Sequence, residues 1–239
     1  MTLPRLRQVV LITADLEAAL DDARQVLGLS GGLRDEEGMA ALGLEHEVLA
    51  FRDSCVEILA PLSADSPQGA RVARSGSSGY MVVVQVDDLA PVLRTADGAG
   101  LQSILQQDYH GHTITQWHPR DVGVLAEIDE VPATTWHMAP EVFERGSTEV
   151  ARDIVGAVVA TDDPEAMAAR WGDLLGAPVE GGVTVRLGSE TLRFVPGAGS
   201  RGLVAVELIA TDPARVGEVL RLCGVDFHLL ADASAGERS

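Results

Sequence analysis

One pattern recurs four times along the chain: an apolar segment, an acidic turn and then a segment with helical periodicity. The four copies start at the segments Gln8–Glu17, Met81–Ala90, Ile154–Glu165 and Leu203–Pro213. Each apolar segment is rich in β-branched residues, which favour a buried strand. Each is followed by an Asp that is placed to accept hydrogen bonds from the first backbone N–H groups of a helix. The repeat therefore predicts a fold assembled from strand–helix modules, and it restricts where a functional site can lie.

Further strand and helix signals complete the modules. Besides a helical turn near Gly69–Arg74, the predicted helices are Leu16–Leu27, Leu89–Ala99, Pro164–Leu175 and Pro213–Leu222. The predicted additional strands are Met39–Leu44, Glu47–Phe51, Cys55–Leu59, Ser103–Gln107, Thr113–His118, Val124–Ile128, Val183–Leu187, Thr191–Val195 and Asp226–Leu230. This order predicts an α+β protein with paired modules in residues 1–131, a linker at 132–150, and a shorter, degenerate pair in residues 151–239 that is truncated at its C-terminal end.

The charge balance narrows the range of partners. The 239 residues include 18 Lys and Arg against 36 Asp and Glu, a formal net charge of −18. Because nucleic acids and anionic membranes are bound through clustered basic side chains, we expect neither as a partner. No apolar segment approaches the roughly 18 residues that span a bilayer, and the first residues lack the apolar region of a secretory signal. Cys55 and Cys223 are far apart in sequence, which predicts reduced thiols and a cytoplasmic protein.

Two glutamates are the sharpest candidates for chemistry. Glu57 and Glu127 each lie in the middle of a predicted strand between apolar neighbours, which alternation places on the opposite face. On the concave face of a sheet, such a glutamate serves as a metal ligand or as a base. At a sheet edge it is a solvated residue that discourages aggregation. Gln8 has the same two readings, as a ligand or as a solvated residue at the start of a strand.

A stretch rich in histidine around the second module is the other point of interest. His112, Ile114, Gln116 and His118 share one face of a predicted strand, and Trp117 is on the other face. The cluster is typical of a small-molecule pocket, with the predicted lining residues Tyr80, Met81, Gln116, Trp117 and Arg120. His118 is either a metal ligand or general base, or part of a structural loop in which Arg120 pairs with a carboxylate. His110 lies in the same stretch, whereas His46, His137 and His228 have no recognisable partner in the sequence.

The tandem modules resemble the βαβββ modules of the vicinal oxygen chelate superfamily, which includes glyoxalase I, extradiol dioxygenases and bleomycin-resistance proteins. The segments Val86–Leu89 and Cys55–Pro61 are similar to the start and the end of such a module. The resemblance covers Arg5–Val131, and Ile154–Leu230 is similar to a second, shortened pair. It implies a cleft formed by paired modules, with metal ligands on the first and last strand of each module.

Placed on this sequence, the resemblance implies the ligands Gln8, Glu57 and Glu127 and one divalent metal, namely Zn, Ni, Mn, Co or Fe. Met81 occupies the position where the family has a histidine, and a thioether is a poor ligand for these cations. The second half offers no readable metal site.

Two classes of function follow, and the sequence leaves both open. In the first, the N-terminal cleft binds a small molecule and acts as a metal-dependent lyase, isomerase or dioxygenase, with Glu127 or His118 as the catalytic residue. In the second, the same cleft binds or sequesters a small molecule without a metal and without catalysis. A homodimer is compatible with either class.

Overall fold

The structure, a computed structural model, describes residues 3–109, 111–136, 141–199 and 201–232. The helices are α1 Leu16–Leu27, α2 Glu36–Ala41, α3 Pro67–Ser75, α4 Ala90–Gly98, α5 Pro119–Val122, α6 Glu141–Glu144 and α7 Pro164–Leu175, and Pro213–Arg215 forms a 3₁₀ turn. The strands are β1 Arg5–Ile12, β2 Gly32–Leu33, β3 Leu44–Ala50, β4 Cys55–Pro61, β5 Ser78–Val86, β6 Ser103–Tyr109, β7 His112–Trp117, β8 Leu125–Glu130, β9 Ala151–Thr161, β10 Val179–Glu180, β11 Thr184–Leu187, β12 Glu190–Pro196, β13 Gly202–Ala210, β14 Val219–Leu222 and β15 Val225–Leu230.

These strands form two mixed sheets. The first has the order β2-β3-β4-β1-β5-β8-β7-β6 and the second has the order β10-β11-β12-β9-β13-β15-β14. The first and last strands of a module lie side by side and parallel in the pairs β5/β8, β9/β12 and β13/β15. The strands between them pair antiparallel, as β6 does with β7 and β7 with β8. The predicted α+β fold of βαβββ-like modules is therefore confirmed.

Two compact units make up the chain. One comprises residues 1–9, 80–140 and 156–204, and the other comprises residues 10–79, 141–155 and 205–239. The first unit contains the second and third modules, and the second unit contains most of the first and fourth modules. The domain limits at 131 and 151 stay a prediction from the sequence.

The acidic turns act as the repeat predicts. An Asp side chain accepts a hydrogen bond from a backbone N–H at the start of each following turn, at distances of 2.8 to 3.1 Å. The pairs are Asp15 with Ala18, Asp88 with Ala90, Asp163 with Ala166, and Asp212 with Ala214. Asp15 and Asp163 are the N-cap residues of α1 and α7. Asp88 instead precedes Leu89, the N-cap of α4, and Asp212 caps the 3₁₀ turn.

Two predicted elements are wrong. Residues Met39–Ala41, predicted as the start of a strand, belong to α2, because Asp35 Oδ1 accepts a hydrogen bond from Gly38 N at 2.9 Å and caps a helix there. The predicted helix Pro213–Leu222 is a 3₁₀ turn followed by β14. There the chain reverses at Cys223 and Gly224, so that β14 pairs with β15 and Leu222 is buried.

Apolar side chains fill one face of the β5–β8–β7 sheet region. Val82, Val84, Ala126 and Ile128 are fully buried there. This face forms core and leaves the opposite face of the same strands for polar groups. Among the described residues, no helix has both the length and the apolar character needed to cross a membrane.

Candidate functional site

Strand register places a set of polar residues on one face of β5, β8 and β7. Val83 pairs with Glu127, Gln85 with Asp129, and Gln116 with Glu127. Residues paired in this way project from the same face of a sheet. We call this surface the carboxyl face; its residues are Met81, Val83, Gln85, Ile114, Gln116, Leu125, Glu127 and Asp129.

Glu127 and Asp129 form a hydrogen-bonded carboxyl pair on this face. They are two residues apart on β8, and their side chains share a hydrogen bond. Gln116 Nε2 on β7 donates to Glu127 Oε2 at 2.8 Å. Glu127 is 8% exposed and Asp129 is 0% exposed. The pair is thus held in place by the sheet register, and only Glu127 reaches the edge of solvent.

Burial raises the pKa of Asp129 well above its ordinary value, and the hydrogen bond with Glu127 offsets only part of this effect. A carboxyl group without solvent is more stable in its neutral form, because ionisation there loses the hydration of the charge. Burial therefore favours the neutral form of Asp129, whereas the hydrogen bond with Glu127 favours its ionised form. A hydrogen bond between two carboxyl groups needs a proton on one of them, as in the paired carboxyl groups of catalytic sites.

Gln85 anchors the segment that follows β8. Its Nε2 donates to the backbone oxygens of Val131, Pro132 and Thr135 at 3.1, 2.8 and 3.0 Å. Because Gln85 belongs to the carboxyl face and is fully buried, these bonds hold residues 131–135 beside that face. The segment ends near Trp136, whose ring lies 5.0 Å from the Arg7 guanidinium in a cation–π contact.

The predicted pocket residues are divided between the two faces. Met81 and Gln116 lie on the carboxyl face. Tyr80 follows the opposite alternation, and Trp117, 1% exposed, pairs with Ala126 on the core face and donates from Nε1 to Thr115 Oγ1 at 3.0 Å. The structure thus brings two of the five predicted lining residues to Glu127.

The segment after β7 forms the short helix α5, with hydrogen bonds among its own residues. His118 begins α5, and its Nδ1 accepts a hydrogen bond from Arg120 N at 3.0 Å. The Arg120 side chain is 75% exposed and pairs with Asp121 at 3.4 Å. This geometry matches the loop that the sequence offered as the second reading of His118. The catalytic role of His118 stays a prediction, and His110 and His137 lie outside the described residues.

In the other compact unit, Glu57 has a partner that the sequence did not indicate. His46 Nδ1 lies 2.5 Å from Glu57 Oε1, and His46 Nε2 accepts a hydrogen bond from Asp35 N at 2.9 Å. Because Nε2 accepts, the proton of the neutral ring is on Nδ1, which donates to Glu57. The expectation that His46 is isolated is wrong: β3 and β4 are adjacent, and the register brings the two side chains together on one face.

The predicted metal ligands Gln8, Glu57 and Glu127 stay a prediction. Gln8 on β1 is buried, and Glu57 and Glu127 are each hydrogen-bonded to a neighbouring side chain. Within the part of the chain that the structure describes, no three His, Cys, Asp or Glu side chains are arranged to share a metal ion. The thioether of Met81 adds no suitable donor for a hard or borderline cation.

Asp129, Gln85 and His46 are the residues that sequence reasoning missed. Asp129 had a usable signal, because alternation along β8 places it on the same face as Glu127. The sequence contained no signal for His46, because the pairing of β3 with β4 decides which side chain it contacts.

No protein-family model and no curated protein sequence matches the chain. Solved structures do. A triple mutant of 4-hydroxymandelate synthase from Streptomyces coelicolor matches 89% of this chain and 72% of its own, with 16% identity and a TM-score of 0.69. Methylmalonyl-CoA epimerase from Mycobacterium tuberculosis matches 54% of this chain and 89% of its own, with 22% identity and a TM-score of 0.46. The S. coelicolor epimerase bound to 2-nitronate-propionyl-CoA matches 54% of this chain and 97% of its own, with 22% identity and a TM-score of 0.46.

The synthase match extends over nearly the whole chain. It shows that the two sheets of modules have the vicinal oxygen chelate fold, as the resemblance in the sequence implied. At this level of identity the likeness concerns the fold, and function has to be argued from the residues of the carboxyl face.

Proposed function

We propose that the carboxyl face binds a small carbonyl compound and that Glu127 moves a proton to and from a carbon next to the carbonyl group. The activity is that of an isomerase, one of the three reaction types expected from the sequence. The observation that carries the proposal is the hydrogen-bonded Glu127–Asp129 pair, in which burial raises the pKa of Asp129 and Glu127 is fixed at the edge of solvent. Perturbed carboxyl groups of this kind concentrate at sites of proton transfer.

The chemistry uses the groups in distinct roles. Glu127 takes the proton from the substrate carbon, and the C–H electron pair moves into the carbonyl group to give an enolate. The enolate then turns in the site, and Glu127 returns the proton to its opposite face, which inverts the configuration at that carbon. Gln116 holds the Glu127 carboxylate in one orientation from the neighbouring strand at 2.8 Å. Val83 and Ile114, which are buried on the same face, give this carboxylate apolar surroundings.

A second function is binding without catalysis. It is favoured by the hydrogen bonds that already occupy Glu127 and by the apolar side chains around it. In that case Gln116 and Glu127 recognise a ligand through hydrogen bonds while the apolar residues supply contact area. A small molecule is the partner in both readings, and a homodimer and a cytoplasmic location stay predictions. The metal-dependent lyase and dioxygenase activities require a set of side chains that bind a divalent cation.

Proton exchange in D₂O tests the isomerase. A panel of 2-oxo acids, 1,3-dicarbonyl compounds and hydroxyketones is incubated with the protein, and loss of the C–H signal is followed by ¹H NMR. We expect exchange with at least one class, slowed by about a hundredfold or more in Glu127→Gln, because general acid–base catalysis contributes about that much.

The matched control is Glu45→Gln, which changes an exposed strand glutamate and should leave exchange unaltered. Equal exchange in the wild type and in Glu127→Gln would refute the role of Glu127. A compound that binds, as seen by saturation-transfer NMR, and never exchanges would favour the binding protein.

A further inference from the structure

In this chain, the side chains on the strands that would carry metal ligands are engaged in hydrogen bonds within the protein. On β3 and β4, both nitrogens of the His46 ring are in use, one toward Glu57 and the other toward the backbone of Asp35. A histidine binds a metal through the lone pair of a ring nitrogen. The lone pair of His46 is directed at the Asp35 N–H, so that this imidazole has none left for a cation while the bond persists.

On β7 and β8, the carboxylate of Glu127 is likewise engaged by protein donors. Gln116 Nε2 contacts it at 2.8 Å, and Asp129 shares a hydrogen bond with it. On β5, Val83 pairs with Glu127, and Met81, at the position where the resemblance implies a histidine, pairs with Leu125. The donor that Gln116 directs at Glu127 interacts with an anionic oxygen in place of a cation.

We propose that Glu57 and Glu127 are hydrogen-bond acceptors for this chain's own side chains and hold no divalent cation. Hydrogen bonds to a carboxylate also occur in true metal sites, where they orient a ligand. What distinguishes this chain is the donor set: the nearby imidazole is used up, the expected histidine is a thioether, and in the described ranges no triad of His, Cys, Asp or Glu is close enough to share an ion. Three or more such donors are the usual requirement of zinc and related cations.

Metal titration tests the inference without using activity. The full chain is stripped with EDTA, dialysed, and titrated calorimetrically with Co²⁺, Ni²⁺, Zn²⁺ and Mn²⁺ in separate runs. Glu57→Gln and Glu127→Gln are titrated in parallel, with Glu45→Gln as the control for removal of a surface charge. We expect the isotherms of all four proteins to be the same within error, since any ions bind to acidic surface groups only.

Stoichiometric binding by the wild type that is weakened tenfold or more in Glu57→Gln or Glu127→Gln would overturn the inference. If either variant does not fold, line broadening by Mn²⁺ in the NMR spectrum of the wild type gives the same answer. Selective broadening of the Gln116 side-chain amide would place the ion at Glu127 and overturn it, and broadening confined to exposed acidic helices would support it. Because the readout is metal binding, failure here is separate from failure of the proton-exchange experiment.

Discussion

Asp129 shows how one buried residue changes the properties of its neighbour. A second ionised carboxylate next to Glu127 would face repulsion as well as the loss of hydration. A proton shared in the hydrogen bond between the two carboxyl groups removes that repulsion. Asp153 provides a comparison in the other compact unit: burial raises its pKa too, but Asp53 N, Ser54 Oγ and Arg52 contact its carboxylate and oppose the rise.

The pKa of Asp129 predicts a pH dependence of stability. Burial holds the pKa of Asp129 in the folded state well above the ordinary value of an aspartate. The contribution of the neutral group to the free energy of unfolding is therefore fully present below the unfolded pKa and is lost as pH rises through the folded pKa. Asp129→Asn keeps the shape and a donor but does not titrate. We expect the free energy of unfolding of this variant, measured with urea, to fall less than that of the wild type as pH rises above about 4.

The control for this measurement is Asp97→Asn, because Asp97 is exposed to solvent on α4. It should reproduce the pH profile of the wild type. An Asp129→Asn profile parallel to that of the wild type from pH 4 to pH 8 would show that Asp129 ionises normally in the folded protein.

At the scale of elements, the fourth module has a 3₁₀ turn and two strands after β13, where the other modules have a helix and three strands. Leu222 pairs with Val225 across Cys223 and Gly224, whose φ angles are +48° and +76°. A two-residue hairpin with positive φ at both central positions is a type I′ turn. The twist of that turn fits the β14–β15 pair, so the segment forms a hairpin although its apolar spacing is also compatible with a helix.

The turn gives a prediction for stability. Glycine adopts positive φ without cost, whereas cysteine has a Cβ that makes this region unfavourable by about 1 kcal/mol. Asparagine tolerates it better and is the preferred residue before glycine in type I′ turns. We expect Cys223→Asn to raise the free energy of unfolding relative to Cys223→Ala by up to about 1 kcal/mol, measured by urea denaturation.

Alanine is the appropriate reference here, because Cys223→Ala loses the half-buried thiol and keeps the unfavourable backbone conformation. Burial, with a smaller effect from Asp22, raises the pKa of the Cys223 thiol to about 11, so it is neutral at pH 7 and its removal changes no charge. Equal stability of the Asn and Ala variants would mean that the turn relaxes away from positive φ.

At the scale of the whole molecule, excess negative charge is the dominant electrostatic property. The net charge of −18 is spread over 239 residues, and the sequence pI is about 4.5. Repulsion among like charges is stronger in the compact state than in the extended chain. Salt shortens the distance over which charges interact, from about 10 Å at 0.1 M to about 3 Å at 1 M.

We therefore expect the urea midpoint at pH 7 to rise when NaCl is increased from 0.05 to about 0.5 M, because screening relieves repulsion in the folded state. Near pH 4.5 the net charge is close to zero, and the same increase in salt should have a smaller effect. A midpoint that falls with salt at pH 7, or that rises equally at both pH values, would contradict this account.

Sequence periodicity predicted much of the fold and part of the site. Helices α1 and α7 have the predicted limits, and alternation along β7 correctly placed Gln116 and Trp117 on opposite faces. These features depend on residues close in sequence, where spacing alone decides which face a side chain occupies. The strand predicted from Met39 failed because a local cap at Asp35 outweighed a weak apolar pattern.

The sequence by itself determined the repeated modules, the acidic caps, the strong negative charge and the candidate status of Glu57 and Glu127. Only the tertiary structure decided what those glutamates contact: His46 across β3 and β4, and Gln116 and Asp129 on β7 and β8. The physical reason is that cross-strand partners and burial depend on register between segments distant in sequence, and the protonation of a buried carboxyl group depends on that environment. The pattern of residues along one strand contains no information on cross-strand partners or on protonation.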